Sequence, residues 1–384
     1  MGRDSQGNIS VGFLPRRLLW LNDIENFEWR GKTMYTGKLA DIFAMAHSKY
    51  LKNKKRFQLH SETMKSMFGN GYARYIGYLE DLGIMVKVRR YYNGSHCNTY
   101  TFADELDLVE LSGGMLVERP TVSHAVGSTP HPRSIQRQLQ DDLNRSQLNH
   151  VGAQRWYEQA LKDGVVNKDS YVSGMYAIRH FSSKYMVFDG YGRVHSNITN
   201  LKKEIRREYL TLDGMPTREI DIANSQPLFM SNIMSREGTY DERFFRDCAN
   251  GVIYDKLALS VGSSRTEAKN MAYKVMFGPN RAVPKHNTPD WHFDNLYPTA
   301  YRWIRGYKIR HGNYKVLSRE MQRTESDFVF NRLVPGIKAV SDGSPVLTVH
   351  DSIIVMLEHY TKSMVVFDAM LQELKEDILV LELF

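Results

Sequence analysis

Apolar residues return at helical spacing from Leu39 to Lys52, and two shorter amphipathic stretches, Ser61 to Phe68 and Tyr72 to Leu82, predict a second and a third helix. Ile84 to Gly94 then takes on strand character and runs through the turn signal Asn93-Gly94 into Asn98 to Phe102, which predicts a hairpin. The first 38 residues mix apolar and basic positions and predict only a lead-in. Residues 112–133 carry Gly113, Gly114, Pro120, Gly127, Pro130 and Pro132, the composition of a linker. From Ser134 to Asp163 the chain is polar and helix-favouring, with Leu139, Leu143, Trp156 and Leu161 as sparse apolar points.

Further on, Thr217 to Ile222 predicts a strand with Asp221 near its end. Val346 to Val349 and Ile353 to Leu357 predict two more, joined at His350-Asp351. Helices are expected over Gly251–Ala258, Ser264–Gly278 and Ser318–Phe328, and Lys362–Leu374 reads as an amphipathic helix packed under the sheet. The class is therefore α+β. Three helices followed by a hairpin is the order of a winged-helix unit over residues 1–111, and the basic residues Arg89 and Arg90 in its wing suit DNA, although such modules also serve as protein contacts. After the linker come a helical region over 134–187 and a larger mixed region over 188–384.

Composition narrows the partners. Lys and Arg number 51 against 43 Asp and Glu, and the resulting charge of +8 favours a polyanion without identifying it. No apolar run approaches the roughly 18 residues of a membrane span, and the N-terminus lacks the apolar stretch of a signal peptide. The expectation is a cytoplasmic protein with no membrane partner. Cys97 and Cys248 are too few and too far apart for a disulfide scaffold or a zinc cluster and are expected to be free thiols.

The most informative stretch is Ser264 to Gly278. Arg265, Lys269, Tyr273 and Phe277 stand four residues apart, and each step of four advances about 40° beyond a full turn, so they form one slowly winding stripe with cations first and aromatics last. Ser264 and Glu267 make a capping box that puts the positive end of the helix dipole beside the two cations. Phosphates suit that end, and a sugar and base suit the rings. The basic helix face of Lys202, Lys203, Arg206 and Arg207 suits a nucleic-acid backbone.

The pattern Arg, Lys, aromatic, aromatic-Gly resembles the fingers helix of family A DNA polymerases and of single-subunit phage and mitochondrial RNA polymerases. Two further blocks appear in the order that superfamily has them. Glu219-Ile-Asp221-Ile-Ala-Asn-Ser-Gln226-Pro227 resembles its first palm motif, and Leu347-Thr-Val-His350-Asp351-Ser352-Ile resembles its His-Asp palm motif. Asp189-Gly-Tyr-Gly192-Arg193-Val-His195 resembles the element by which the RNA polymerases contact template, with His in place of a final Tyr. Ser318 to Phe328 resembles the helix before the last palm motif. The resemblance spans residues 188–357, and the distance from Asp221 to Asp351 is shorter than in the large polymerases, so the fingers must be reduced.

That resemblance implies a right-hand palm with helical fingers and a thumb supplied by 134–187. It implies Asp221 and Asp351, with the Ile222 carbonyl, as ligands of two Mg²⁺ ions, for which Mn²⁺ can substitute. Lys269 would neutralise or protonate the pyrophosphate, and Arg265, Tyr273, Phe277, Gly278 and Gln226 would bind the nucleotide. Gly192, Arg193, Lys202, Lys203, Arg206, Arg319, Gln322 and His350 would contact template or primer. The implied activity is template-directed nucleotidyl transfer, with nucleoside triphosphates and a nucleic-acid template as partners and a second protein subunit left open. Gln226, where the DNA polymerases carry Glu, and Phe277, where most relatives carry Tyr, make the sugar choice ambiguous. The Asp189–Arg193 element and Ser352 lean toward RNA synthesis. The alternatives are a small DNA polymerase without proofreading and a non-catalytic replication initiator.

Overall fold

Helices and strands alternate along the chain in the manner of an α+β protein, which the computed structural model describes over residues 11–15, 18, 24–52, 55–89, 98–103, 108–112, 133–182, 184–280 and 285–380. The described residues fall into two units. One is drawn from Met1–Gly127, Arg137–Phe188 and Val194–Thr217, the other from Ser128–Gln136, Asp189–Arg193 and Arg218–Phe384. No described helix is long and apolar enough to cross a membrane.

The first unit begins with strands where only a lead-in is expected: β1 (Val11–Pro15), β2 (Asn26–Trp29) and β3 (Lys32–Tyr35). Arg30 and Gly31 both take positive φ and close the β2–β3 hairpin, the geometry that matches strand twist in a two-residue turn. Helix α1 (Thr36–Lys52), strand β4 (Phe57–Gln58), helices α2 (Ser61–Phe68) and α3 (Tyr72–Asp81), and strands β5 (Met85–Arg89) and β6 (Thr99–Phe102) follow. Their sheet has the order β4-β6-β5, and Phe43, Phe57, Tyr100 and Phe102 fill the core beneath it. The Asn93-Gly94 turn, Arg90 and Cys97 lie outside the described residues, as does nearly all of the linker. Strand β7 (Leu108–Ser112) pairs antiparallel with β1.

The polar stretch expected as one helical run over 134–163 is two helices separated by a strand: α4 (Arg133–Asn144), β8 (Ser146–Leu148) and α5 (His150–Lys162). Local and long-range bonds together hold the break. Ser146 Oγ donates to the Leu143 carbonyl, Arg145 pairs with Asp213, and Asn149 caps α5 by accepting from Gly152 N–H. Helix α6 (Lys168–Arg179), strands β9 (Met186–Phe188) and β10 (Val194–Ser196), and helix α7 (Lys203–Tyr209) come next. Strand β11 (Leu210–Leu212) pairs with β8 and, around Asp213-Gly214, with the start of β12 (Met215–Asp221).

Strand β12 carries the chain into the second unit, where its neighbour is a hairpin strand from far along the sequence. Helices α8 (Ser225–Arg236), α9 (Glu242–Ala249), α10 (Ile253–Val261), α11 (Arg265–Phe277), α12 (Pro289–Leu296), α13 (Pro298–Arg310) and α14 (Lys315–Phe328) build its core. Met230, Phe244, Tyr254, Ala272, Phe293 and Met321, one from each of six of these helices, meet in one buried cluster. Cys248 is a free thiol within it. After α14 the hydrogen-bond ladder widens to a π turn over Val329–Leu333, because Pro335 in the first turn of α15 (Val334–Val340) has no N–H to continue the regular ladder. Strands β13 (Leu347–Val349) and β14 (Ser352–Met356) then form the hairpin beside β12, giving the order β13-β14-β12. Helix α16 (Tyr360–Val380) packs on α8, with Ser235 Oγ donating to the Ile378 carbonyl.

Helices α5 and α6 cross at Gly174, where a Cβ would fall inside the ring of buried Tyr157. Gly174→Ala therefore lowers stability by about 1–3 kcal/mol, overpacking outweighing the better helix propensity of Ala. Chemical denaturation reads this as an earlier midpoint, and an unchanged or later midpoint would contradict the close approach.

Candidate active site

Strand β12 ends on Asp221, and the chain then turns through Asn224, whose left-handed φ of 53° starts α8 at Ser225. The β13–β14 register pairs Val349 with Ser352, which leaves His350 and Asp351 as the turn, with His350 at φ 56°. Because β14 neighbours β12, the strand end and the hairpin turn meet. Ser352 Oγ donates to Asp221 Oδ1 at 3.3 Å, and Ser225 hydrogen-bonds the Asp351 carboxylate. Each carboxylate is thus held by the neighbour, or near neighbour, of the other. Asp221 is exposed and Asp351 half-buried. Burial pushes the Asp351 carboxyl above its ordinary range, Ser225 opposes that, and the charge of Asp221 adds to it.

A third carboxyl lies against this pair. Glu325 of α14 is 1 % exposed, and its two oxygens have different partners. Arg193 Nη2 donates to Oε1 at 2.7 Å, while Gln226 Nε2 donates to Oε2. Burial pushes Glu325 up to about 7, Arg193 works against that, and the charge of Asp351 works with it. Ile222 is buried directly after Asp221, and His350 is exposed at the hairpin tip.

Arg193 reaches Glu325 because the turn Asp189–Arg193 is tightly built. Asp189 Oδ1 accepts from the N–H groups of Tyr191 and Arg193, and Gly192 takes a φ of 84° that its missing side chain permits. Ser326 Oγ donates to the Gly192 carbonyl at 2.5 Å. The Tyr191 ring lies under two guanidiniums of α14, Arg319 at 5.4 Å and Arg323 at 5.5 Å. Gln322 is half-buried on the same helix, three residues before Glu325.

The stripe on α11 forms a second cluster. The capping box of Ser264 and Glu267 is complete. Arg265 pairs with Asp255 at 3.2 Å, and its guanidinium lies 5.5 Å from the centre of the Tyr254 ring. Lys269 sits 5.7 Å from the Tyr254 ring and 5.6 Å from that of Tyr273, which in turn contacts Phe277 at 5.2 Å. The opposite face, Ala268, Ala272, Val275 and Met276, is buried against Leu317 and Met321 of α14. At the far end Lys308 Nζ donates to the carbonyls of Val275 and Gly278 at 2.6 and 2.8 Å, closing the helix on Gly278. Neither Arg265 nor Lys269 is bonded to Asp221 or Asp351; helix α14 lies next to both clusters.

The structure thus gathers Asp221, Asp351, Gln226 and Arg193 in one cluster and Arg265, Lys269, Tyr273 and Phe277 in another. Lys202, Lys203 and Arg206 belong to the first unit. Arg206 is turned inward there: it is buried and Nη1 donates to the Leu201 carbonyl at 2.7 Å, so the basic face of α7 is narrower than its sequence suggests. Glu325, Ser225, Tyr254 and Tyr191 are the residues the motif reading passed over. Glu325 alone left a signal, a charge between the apolar positions Met321 and Phe328 on one helical face.

The two aspartates and the serines that hold them offer oxygen, which suits a hard divalent cation such as Mg²⁺ and not a thiolate-bound metal. Among the described residues no three His, Cys, Asp or Glu side chains gather as a metal-ligand group. A cation held here would take two carboxylates and complete its shell with main chain, water or substrate. Compared with known proteins, the chain matches no family model, no curated protein and no solved structure.

Glu325 also sets a pH dependence of stability. Its folded pKa of about 7 stands above the ordinary 4.5, so between those values the folded state keeps a proton that the unfolded state releases. The contribution is complete below pH 4.5 and is lost as pH rises through 7. Glu325→Gln should remove this decline. Melting temperatures of the two proteins measured from pH 4.5 to 7.5 will diverge with pH, and parallel curves would contradict the assignment.

Proposed function

We propose that this chain is a template-directed nucleotidyltransferase with a polymerase-type palm and reduced helical fingers, most suited to RNA synthesis on a DNA template. The observation that supports it best is the meeting of Asp221 and Asp351, 130 residues apart, on neighbouring strand ends, each fixed by a serine beside the other. Two like charges brought together in this way repel unless a cation sits between them.

In this reading Asp221, Asp351 and the Ile222 carbonyl would hold two Mg²⁺ ions. When bound, the ions lower the pKa of the attacking hydroxyl and neutralise the departing pyrophosphate. Arg265 binds the triphosphate, and Lys269 supplies a proton to the pyrophosphate as it leaves. The rings of Tyr273 and Phe277 take the sugar and base, with Gly278 ending the helix beside them and Gln226 near the sugar. Arg193 has Nη2 occupied by Glu325 and Nε buried, so Nη1 is the donor it offers a phosphate. Gly192, Arg319, Gln322 and His350 extend that contact to template or primer. Lys202 and Lys203, together with the winged-helix-like part of the first unit, provide further backbone contacts.

Incorporation of labelled nucleotide on primed and unprimed DNA tests the proposal. Wild type is expected to incorporate, and Asp221→Asn and Asp351→Asn each to lose about a hundredfold or more while keeping their fold and DNA binding. DNA binding without incorporation by wild type would favour a non-catalytic replication initiator. Undiminished incorporation by both variants would overturn the site assignment.

A further inference from the structure

We propose that Ser260, His292 and Asn287 form a nucleophilic triad that cleaves activated esters, with Ser260 and His292 as catalytic residues and Asn287 as the positioning residue. None of the three belongs to the stripe on α11 or to the carboxylate cluster, so the activity is independent of the nucleotidyltransferase reading. Ser260 lies in the last turn of α10 and His292 is the fourth residue of α12, two helices that pack together in the second unit. Ser260 Oγ and His292 Nδ1 are 3.0 Å apart, and on the other side of the ring Nε2 is 2.9 Å from Asn287 Oδ1. These contacts fix the tautomer. A carboxamide oxygen only accepts, so Nε2 carries the ring proton, and the bare Nδ1 faces the Ser260 hydroxyl as its acceptor.

The surroundings hold that arrangement in place. Asn287 has φ 63°, a left-handed conformation that Asn tolerates, and the turn that carries it is closed by Thr288, whose N–H and Oγ both donate to the Lys285 carbonyl. Thr288 Oγ also caps α12 by accepting from the Trp291 N–H. The Trp291 ring stands edge-on to the imidazole with 4.9 Å between centroids, and His286 packs on it at 4.6 Å. His292 is only 4 % exposed, whereas Ser260 faces solvent. A shielded base thus serves an accessible hydroxyl, as a nucleophile requires.

In the reaction Ser260 Oγ bonds to the carbonyl carbon of an ester while His292 Nδ1 takes the hydroxyl proton. The bond to the leaving alcohol breaks, and the imidazolium returns the proton to that oxygen. Water then adds to the acyl group on Ser260 by the same route, releasing the carboxylic acid and restoring the hydroxyl. The three side chains supply nucleophile, base and orientation but no donor to a tetrahedral oxyanion, so their reach is to esters with good leaving groups and not to amides. Half-buried Trp291 offers an apolar face beside the base, which favours aryl esters.

The test uses the full chain, with p-nitrophenyl acetate for turnover and a fluorophosphonate for covalent capture, the site of capture being read by mass spectrometry. Wild type should hydrolyse the ester through repeated turnovers and take up the phosphonyl group on Ser260. Ser260→Ala should lose that label and about tenfold or more in turnover, while Ser263→Ala, on a nearby hydroxyl outside the triad, should keep both. Asn287→Gly accepts the left-handed backbone but deletes the acceptor, and it should lower kcat by about tenfold. Asn287→Asp keeps an acceptor and should not. Ser260 and Asn287 are both exposed, so these variants keep the fold. A link that merely pins the loop to α10 would leave their rates equal to wild type. Absence of label from Ser260 in wild type, or equal ester turnover by wild type and Ser260→Ala, overturns the triad. Equal kcat in Asn287→Gly and Asn287→Asp overturns the role of Asn287.

Discussion

Carboxylates drawn together repel one another, the more so where burial weakens their contact with water, and the second unit is arranged around that fact. Asp221, Asp351 and Glu325 come from a strand end, a hairpin turn and a helix, and the local environment pushes both Asp351 and Glu325 toward their neutral forms. What holds them is a set of donors, each from a different segment: Ser352 on Asp221, Ser225 on Asp351, and Arg193 and Gln226 on Glu325. Removing one partner leaves a charge buried and unpaired, which is far more damaging than losing a surface ion pair. This distinguishes Arg193–Glu325 from the exposed pair of Arg145 with Asp213, where water already solvates both groups.

Helix α14 connects the two clusters. Its Leu317 and Met321 enter the core that seats α11, and one turn later Glu325 and Ser326 take hold of the Asp189–Arg193 turn. The same helix covers Tyr191 with two guanidiniums. The α11 stripe and the Glu325–Arg193 pair thus both rest on one helix rather than on direct bonds between them.

Local chemistry made part of this legible in the sequence. The capping box of Ser264 and Glu267 and the spacing of Arg265, Lys269, Tyr273 and Phe277 depend on neighbours within a turn or two, and the helix stands where they place it. The two strands that flank Asp351 are likewise short, largely apolar runs. What stayed hidden depends on residues far apart. Glu325 and Arg193 are separated by 132 positions, and only folding reveals that a charge within an apolar helical face has a cation waiting for it. Arg206 looked solvated because its helix is basic, yet its guanidinium turns back to Leu201. Strand β8 interrupts a helix-favouring stretch because β11, more than 60 residues later, offers it a ladder, a tertiary override of local propensity.

The central claim is that Asp221 and Asp351 form one divalent-cation site, and direct titration with Mn²⁺, followed by the electron paramagnetic resonance of the free ion, tests it without any assumption about substrate. Wild type should bind Mn²⁺ saturably, Mg²⁺ should compete, and Asp221→Asn and Asp351→Asn should each weaken binding by about tenfold or more. Equal Mn²⁺ binding by wild type and both variants, or none by wild type in the presence of nucleoside triphosphate, would contradict the account.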